Sequence, residues 1–232
     1  MPFEIDVIET VQRTPDIKSI RFRRPQGFDY LAGQYMFITL GKAADQMTKH
    51  FTISSSPTEN FLEITKRLTG HEFANALAAL KIGDKVRLDG PYGDFVFHKE
   101  HKKVGMLSGG IGITPLRSMI RYSTDKNLET DIILLYSNSR EDDIAFREEF
   151  EEMQKQNPKL KVVNTVTHAN PAWTGVTGRI NAEMIKMYMP DYMDRAIYSS
   201  GPRKMVDAMQ ALLKDIKVPD EQIITEYFPG YD

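Results

Sequence analysis

The chain has 232 residues, 41% hydrophobic and 27% charged, with a formal net charge of −2. That length allows one large or two small domains with a full core, and the near-neutral charge supplies no whole-chain attraction to nucleic acid. No cysteine is present, which excludes disulfides, iron–sulfur clusters and cysteine zinc sites.

Residues 1–97 read as short strands between turns: FEIDVIETV, IKSIRFRR, QYMFITL, HFTISSS, FLEITKRL and KVRLDG. They are rich in Val, Ile, Phe and Thr, and several alternate. One helix interrupts them, HEFANALAALK, with Phe73, Leu77 and Leu80 on one face. This density of short strands predicts a barrel or sandwich. From residue 104 apolar runs alternate with amphipathic helices: VGMLS then TPLRSMIRYS, DIILLYS then IAFREEFEEMQKQ, LKVVNTV then NAEMIKMYM, AIYSS then PRKMVDAMQALLKDI, and last QIITEYF. Parallel strands need crossover connections, so this repetition predicts a doubly wound parallel sheet. The polar, basic HKEHKK at 98–103 joins the two textures, which places the domains at 1–99 and 100–232. Five scattered histidines complete no metal motif. No apolar run approaches the roughly 20 residues of a membrane span. The acidic, alternating start MPFEIDVIET is unlike a signal peptide. A cytoplasmic location without membrane insertion is expected.

In LSGGIGITPL, 107–116, Gly109, Gly110 and Gly112 follow the first parallel strand. Ligands of doubly wound sheets bind beyond the C-terminal strand ends. Glycine permits positive φ and close backbone approach. Thr114 suits a helix cap and Pro115 the first helical position. Exposed N–H groups at such a helix start attract an anion, for which a pyrophosphate is the natural candidate. Pro115 breaks the G-x-G-x-x-G fingerprint, and no G-K-[ST] completes a Walker A loop.

Four more motifs stand with this loop. KHFTISSSP, 49–57, sets Lys49, Phe51, Thr52 and Ser55 in an Arg-x-Tyr-Ser/Thr-x-x-Ser pattern. ITKRLTGHEFANAL leads into LKIGDKVRLDGPYGDF, 80–95. YSSGPRKMVDAM, 198–209, has Ser200 before Gly201, Pro202 and Met205 in a Cys-Gly-Pro-x-x-Met pattern. ITEYFPGYD ends the chain with Glu226 and Phe228 in Glu-x-Tyr/Phe. In this order, over nearly the whole chain, they resemble the ferredoxin–NADP⁺ reductase family of flavoenzymes, whose glycine loop reads G-x-G-x-x-P.

The resemblance implies two domains: an N-terminal antiparallel flavin-binding β-barrel and a C-terminal α/β doubly wound sheet binding a nicotinamide nucleotide. It implies that Phe51 lies against the flavin, that the Thr52 hydroxyl bonds near the reactive ring nitrogen and that Lys49 faces the cofactor pyrophosphate. Lysine is a point charge there and lacks arginine's bidentate contact. Gly70 and the backbone of Glu72, Phe73, Ala74 and Asn75 become a phosphate loop; Ala74 stands where the family has serine, and Lys66 adds charge. Gly110, Gly112 and Pro115 hold the nucleotide pyrophosphate with Thr114 beside it. Ser200 takes the place of a cysteine near the nicotinamide, Glu226 sits near the reacting rings, and Phe228 or Tyr231 covers the flavin. The phosphate loop favours FAD over FMN. In YSNSREDD, Ser137, Ser139 and Arg140 suit a nucleotide 2′-phosphate, while Asp142 and Asp143 suit a bare ribose; Asn138 is a further cofactor-binding candidate, and the choice leans slightly to NADPH over NADH.

The expected activity is FAD-dependent NAD(P)H oxidation, with Thr52, Ser200, Glu226 and Phe228 at the chemistry. Electrons pass to a separate ferredoxin, flavodoxin or small molecule, for which the basic KSIRFRR and HKEHKK offer docking charge. A non-catalytic, nucleotide-binding regulatory subunit on the same scaffold is the alternative.

Overall fold

In the computed structural model, which describes residues 2–41 and 46–228, alternation of buried and exposed side chains builds the first half. Its strands are β1 (Phe3–Thr14), β2 (Ile17–Arg23), β3 (Tyr35–Leu40), β4 (Met47–Thr52), β5 (Phe61–Arg67) and β6 (Lys85–Tyr92). They form an antiparallel sheet in the order β4-β3-β6-β1-β2-β5. The inward positions pair across the ladders, Ile20 with Ile64 and Phe22 with Leu62, and all four are fully buried. The Ser54 N–H donates to the Glu63 carbonyl at 2.8 Å, which ties the chain just after β4 to β5 and joins the two ends of the row. Sequence places ISSS within a strand, but the ladder stops at Thr52. The serines beyond it are buried and serve polar contacts instead. Ser55 Oγ meets Tyr30 Oη at 3.0 Å and accepts from Glu63 N–H at 2.9 Å. The predicted helix is shorter than expected, α1 (Glu72–Ala78). Asp84 Oδ2 accepts from Lys81 N–H at 2.8 Å and folds the next residues into a turn.

The second half forms a parallel sheet, β10-β9-β8-β7-β11-β12, from β7 (Lys103–Gly109), β8 (Asp131–Asn138), β9 (Leu160–Val166), β10 (Val176–Thr177), β11 (Ala196–Pro202) and β12 (Ile223–Phe228). Its central strands are apolar on both faces, as burial between two helix layers requires. Ile132, Leu134 and Tyr136 face the core formed with α2 (Ile113–Asp125) and α3 (Arg147–Gln156). Ile133 and Leu135 face α4 (Ala182–Tyr188) and α5 (Arg203–Asp215). The α3 helix starts three residues later than its apolar pattern suggests. Phe146 adopts φ 60°, and Ile144–Phe146 enter the core as a loop.

The two halves share apolar and ionic contacts. Ile17, Ala32 and Phe95 of the barrel join the core beneath α2. Arg117 on α2, 2% exposed, donates through Nη1 to the Ser54 carbonyl at 3.1 Å and pairs with Glu59 of the barrel. It also pairs with Glu149 of α3 at 2.6 Å. Glu149 pairs with Arg13 of β1, which reaches the fully buried Glu63 at 2.8 Å, where Arg21 arrives at the same distance. Burial opposes the Arg117 charge, but Glu149, Glu59 and Glu63 outweigh it and raise its pKa. Burial likewise opposes the Glu149 charge, and Arg117 and Arg13 outweigh it.

The cations of KSIRFRR divide. Arg23 stays 72% exposed, 3.6 Å from Asp6, and is available for docking. Arg21 is committed to Glu63 and Glu9, Arg24 donates to the Phe28, Pro57 and Glu59 carbonyls, and Lys18 donates to the Ala78 carbonyl. In HKEHKK, Lys103 pairs with Asp191 at 2.9 Å. Among the described residues, no cluster of three or more His, Asp or Glu side chains is placed to hold a metal ion, and no helix is long and apolar enough to cross a membrane.

Candidate active site

A cavity of about 470 Å³ opens between the two sheets. The barrel contributes the ends of β4 and β5: Lys49, Phe51, Thr52 and Lys66, with Phe73 and Ala74 of α1 below. Phe51 and Phe73 stack at 5.6 Å between centroids, 30° apart in plane, and give the floor an aromatic surface. Burial first, and then the neighbouring Lys49 charge, lower the pKa of Lys66. Asn75 does not face the cavity; its Nδ2 donates to the Gly70 carbonyl at 2.9 Å and latches the loop ahead of α1. Gly70 and Glu72 also lie outside the lining.

The opposite wall comes from Ile111, Thr114 and the β12 residues Glu226, Tyr227 and Phe228. The pairing of Glu226 with Ser200 carries its carboxyl to the end of the sheet. Its Oε2 is buried and has no hydrogen-bond partner among the described residues, and burial pushes its pKa up to about 8. Near neutral pH this carboxyl therefore holds a proton. The unfolded chain loses that proton at its ordinary value of 4.5, so the folded form binds more protons in between. From this one group, stability falls by about 1.4 kcal/mol per pH unit across that window. Glu226→Gln is expected to flatten that slope in thermal unfolding followed against pH; parallel curves for the two proteins would show the carboxyl to be solvated.

The glycine segment sits where β7 and β11 lie side by side and the chain order reverses, the switch point at which α/β sheets bind ligands. Gly110 begins a 3-10 turn, Gly110–Gly112, with φ +54°. A Cβ on Gly112 would stand 2.3 Å from the Ser200 carbonyl oxygen and 2.6 Å from Gly201 Cα, so only glycine allows this crossing. Ser200 Oγ donates to the Gly112 carbonyl at 2.7 Å and Tyr136 Oη to the Gly110 carbonyl at 2.8 Å. Beside this turn lies a second cavity of about 660 Å³, and Ile111 lines both. Gly109, Gly110, Ser137, Asn138, Pro202 and Met205 face it.

Several expected roles change. Thr114 does not cap α2: the 3-10 turn supplies the helix entry, and Thr114 Oγ1 donates to the Ile111 carbonyl at 3.3 Å. Pro115 is the third residue of α2, not the first, still within the turn whose N–H groups lack helical acceptors. Ser200 is fully buried, lines neither cavity and straps β11 to the glycine turn. Ser55 is equally buried, in the Tyr30–Glu63 contacts. Gly201 lies behind the crossing. Arg140 faces neither cavity; its N–H donates to Asp143 Oδ2 at 3.0 Å in a capping box. Tyr231 lies outside the described residues. Sequence reasoning missed Tyr35, His50, Thr65, Thr69 and His71 around the first cavity. It also missed Arg67, Thr167, His168, Arg179 and Lys204 around the second. Arg67 directly follows Lys66, which was the available signal. It pairs with Asp16 at 2.5 Å, and its Nη2 lies 3.8 Å from where a Gly110 Cβ would be.

Residues 4–97 match the family model of the oxidoreductase FAD-binding domain, and residues 106–211 that of the oxidoreductase NAD-binding domain. The glycine betaine monooxygenase reductase subunit of Chromohalobacter salexigens is 32% identical over 216 residues, which cover 89% of this chain and 59% of that protein. The chain thus spans less than two thirds of that relative. NADH-cytochrome b5 reductase 1 of Mortierella alpina is 28% identical over 233 residues, 93% of this chain and 78% of the relative. The solved ferredoxin NADP+ reductase of Neisseria gonorrhoeae with bound FAD and NADP has the same fold, with a TM-score of 0.84 at 18% identity over 97% of this chain and 98% of that one. With both halves matched in order and the cavity formed where they meet, the chain belongs to the ferredoxin–NADP⁺ reductase-like family of FAD- and NAD-binding oxidoreductases.

Proposed function

We propose that the chain is an FAD-dependent reductase that draws hydride from NADPH or NADH and delivers electrons to a separate protein acceptor. One observation carries this reading: a single cavity takes an aromatic and cationic floor from one domain and an acidic, aromatic wall from the other.

The residues fit the group the family implies. Lys49 and Lys66 answer a diphosphate, and the stacked Phe51 and Phe73 offer a flat apolar surface of the kind a planar ring covers. Bound FAD supplies the ring that accepts hydride and can release electrons singly. The chain's own residues do the rest. Thr52 brings a hydroxyl to the cavity, and Phe228 and Tyr227 narrow the opening on the nucleotide side and limit water. Glu226 holds a proton beside the space where the rings meet. Ser200 acts as a positioning residue by fixing the glycine turn.

The acceptor is read from the relatives, one named as a monooxygenase reductase subunit and another as a cytochrome b5 reductase. Each name implies a separate protein that receives the electrons, and we favour a ferredoxin or an oxygenase component as the acceptor of this chain. Steady-state assays test this: the FAD-loaded chain is expected to oxidise NADH or NADPH with ferricyanide as a chemical acceptor and to reduce a ferredoxin in its place. FAD-loaded protein that leaves both nucleotides unoxidised would remove the reductase reading in favour of a regulatory subunit. Turnover with ferricyanide alone would remove the protein acceptor only.

A further inference from the structure

The barrel buries a row of hydroxyls directly behind the first cavity. Ser19 of β2 and Thr65 of β5 stand opposite each other in the ladder, and Ser54 follows β4. Ser19, Ser54 and Glu63 are fully buried, and Thr65 is 5% exposed. Of these residues, Thr65 is the one that lines the cavity. Polar groups so far from water cost stability unless each is hydrogen-bonded.

Here the bonding runs in one direction. Arg13 Nε donates to Ser19 Oγ at 2.8 Å. Ser19 Oγ lies 2.8 Å from Thr65 Oγ1, which lies 2.9 Å from Ser54 Oγ. Ser54 Oγ donates to Glu63, 3.0 Å from Oε1 and 3.2 Å from the carbonyl. Glu63 Oε2 is held by Arg13 and Arg21, each at 2.8 Å. A guanidinium only donates and a carboxylate only accepts. Between those fixed ends, three hydroxyl hydrogens serve three contacts. Ser19 therefore donates to Thr65, Thr65 to Ser54, and Ser54 to Glu63. Thr65 reaches Glu63 Oε1 only at 3.5 Å, so Ser54 is its acceptor. The Thr65 hydrogen is committed inside the barrel. One lone pair of its oxygen takes the Ser19 hydrogen, and the other remains for the cavity.

A reduced flavin carries ring N–H donors where the oxidised ring has bare nitrogens. A hydroxyl with no hydrogen to offer bonds the first and not the second. Hydrogen bonds to ring nitrogens are a lever by which a protein sets a cofactor's electronics. We propose that Thr65, oriented by the Arg13–Ser19 and Ser54–Glu63 bonds, is an acceptor-only contact that favours reduced over oxidised FAD. Arg13, Ser19, Ser54 and Glu63 are positioning residues. The proposal rests on the first cavity being the flavin site of the proposed reductase.

The midpoint potential of FAD bound to the full chain, measured by equilibration with a reference dye, tests this without turnover. Thr65→Val keeps the shape and removes the oxygen. It is expected to weaken binding of reduced relative to oxidised FAD by about tenfold, the scale of one hydrogen bond. For a two-electron couple that lowers the potential by about 30 mV. Thr65→Ser is expected to restore the original value. An unchanged potential in Thr65→Val overturns the proposal. So does a raised one, which would show the hydroxyl donating to the oxidised ring, and so does a Thr65→Ser protein that behaves like Thr65→Val. Ser54→Ala leaves Thr65 in place and takes away the acceptor of its hydrogen, so its potential is expected to fall as well. An unmoved potential there overturns the polarity even where Thr65→Val fails to fold. FAD that does not bind the unaltered chain removes the flavin site and this proposal together, whereas bound FAD with a potential indifferent to these variants removes this proposal alone.

Discussion

Arg117→Ala is expected to destabilise the chain by about 3–5 kcal/mol, because it leaves the half-buried Glu59 without its cation and Glu149 with Arg13 alone, and removes a donor to the Ser54 carbonyl. For a chain of this size that is a fall of roughly 10 °C in melting temperature. The size follows from burial. An exposed pair contributes about 0–1 kcal/mol, whereas Arg117 is 2% exposed and also satisfies the Ser54 carbonyl. Its loss removes an ionic contact between the domains and a hydrogen bond to the barrel together. Glu149→Gln keeps the shape and a hydrogen-bonding oxygen, so its cost is expected to be smaller. Thermal unfolding of both variants measures the difference. A loss below about 1 kcal/mol for Arg117→Ala would mean that water reaches the interface and that the ionic chain from Arg21 to Glu59 is ornamental.

Gly112→Ala has the second large effect. Its Cβ would fall 2.3 Å from the Ser200 carbonyl oxygen, a backbone atom that cannot swing aside as a flexible side chain does. The glycine turn and the end of β11 must separate, which also breaks the bond from Ser200 Oγ to the Gly112 carbonyl. Overpacking of this kind costs about 1–3 kcal/mol. The displacement matters more for function. A shift of about 1 Å in a positioning element lowers a rate by about 100-fold, so flavin reduction by NAD(P)H is expected to fall by about that factor. FAD uptake depends on the barrel and is expected to persist. Single-turnover reduction followed in the flavin absorbance measures the rate, and an unchanged rate would show that the turn does not set the nucleotide's position.

The two textures of the fold were legible because each strand and helix carries its own periodicity. Ile132, Leu134 and Tyr136 against Ile133 and Leu135 already describe a sheet covered on both faces. The glycine turn was legible too, since the close crossing at Gly112 leaves a local mark in composition. The ionic chain left none. Arg13 and Glu149 are 136 positions apart, and Arg21 and Glu63 each read as the polar side of an alternating strand. Ser200 was misjudged for a related reason. Its place in the motif suggests a hydroxyl facing the nicotinamide, and only the folded glycine turn shows that the Gly112 carbonyl takes that hydroxyl. Arg179 and Lys204 could not be joined from sequence, because the winding of the sheet brings β10 and α5 to one cavity.

On the proposed function, the cavity between the domains brings a flavin and a nicotinamide together. Anaerobic titration of the purified chain, first with FAD and then with NADPH or NADH, tests it by visible absorbance. One FAD is expected to be taken up per chain, and a stoichiometric amount of reduced nucleotide to bleach its colour. A chain that stays colourless, or that binds FAD yet keeps its full colour with either nucleotide in excess, would contradict it.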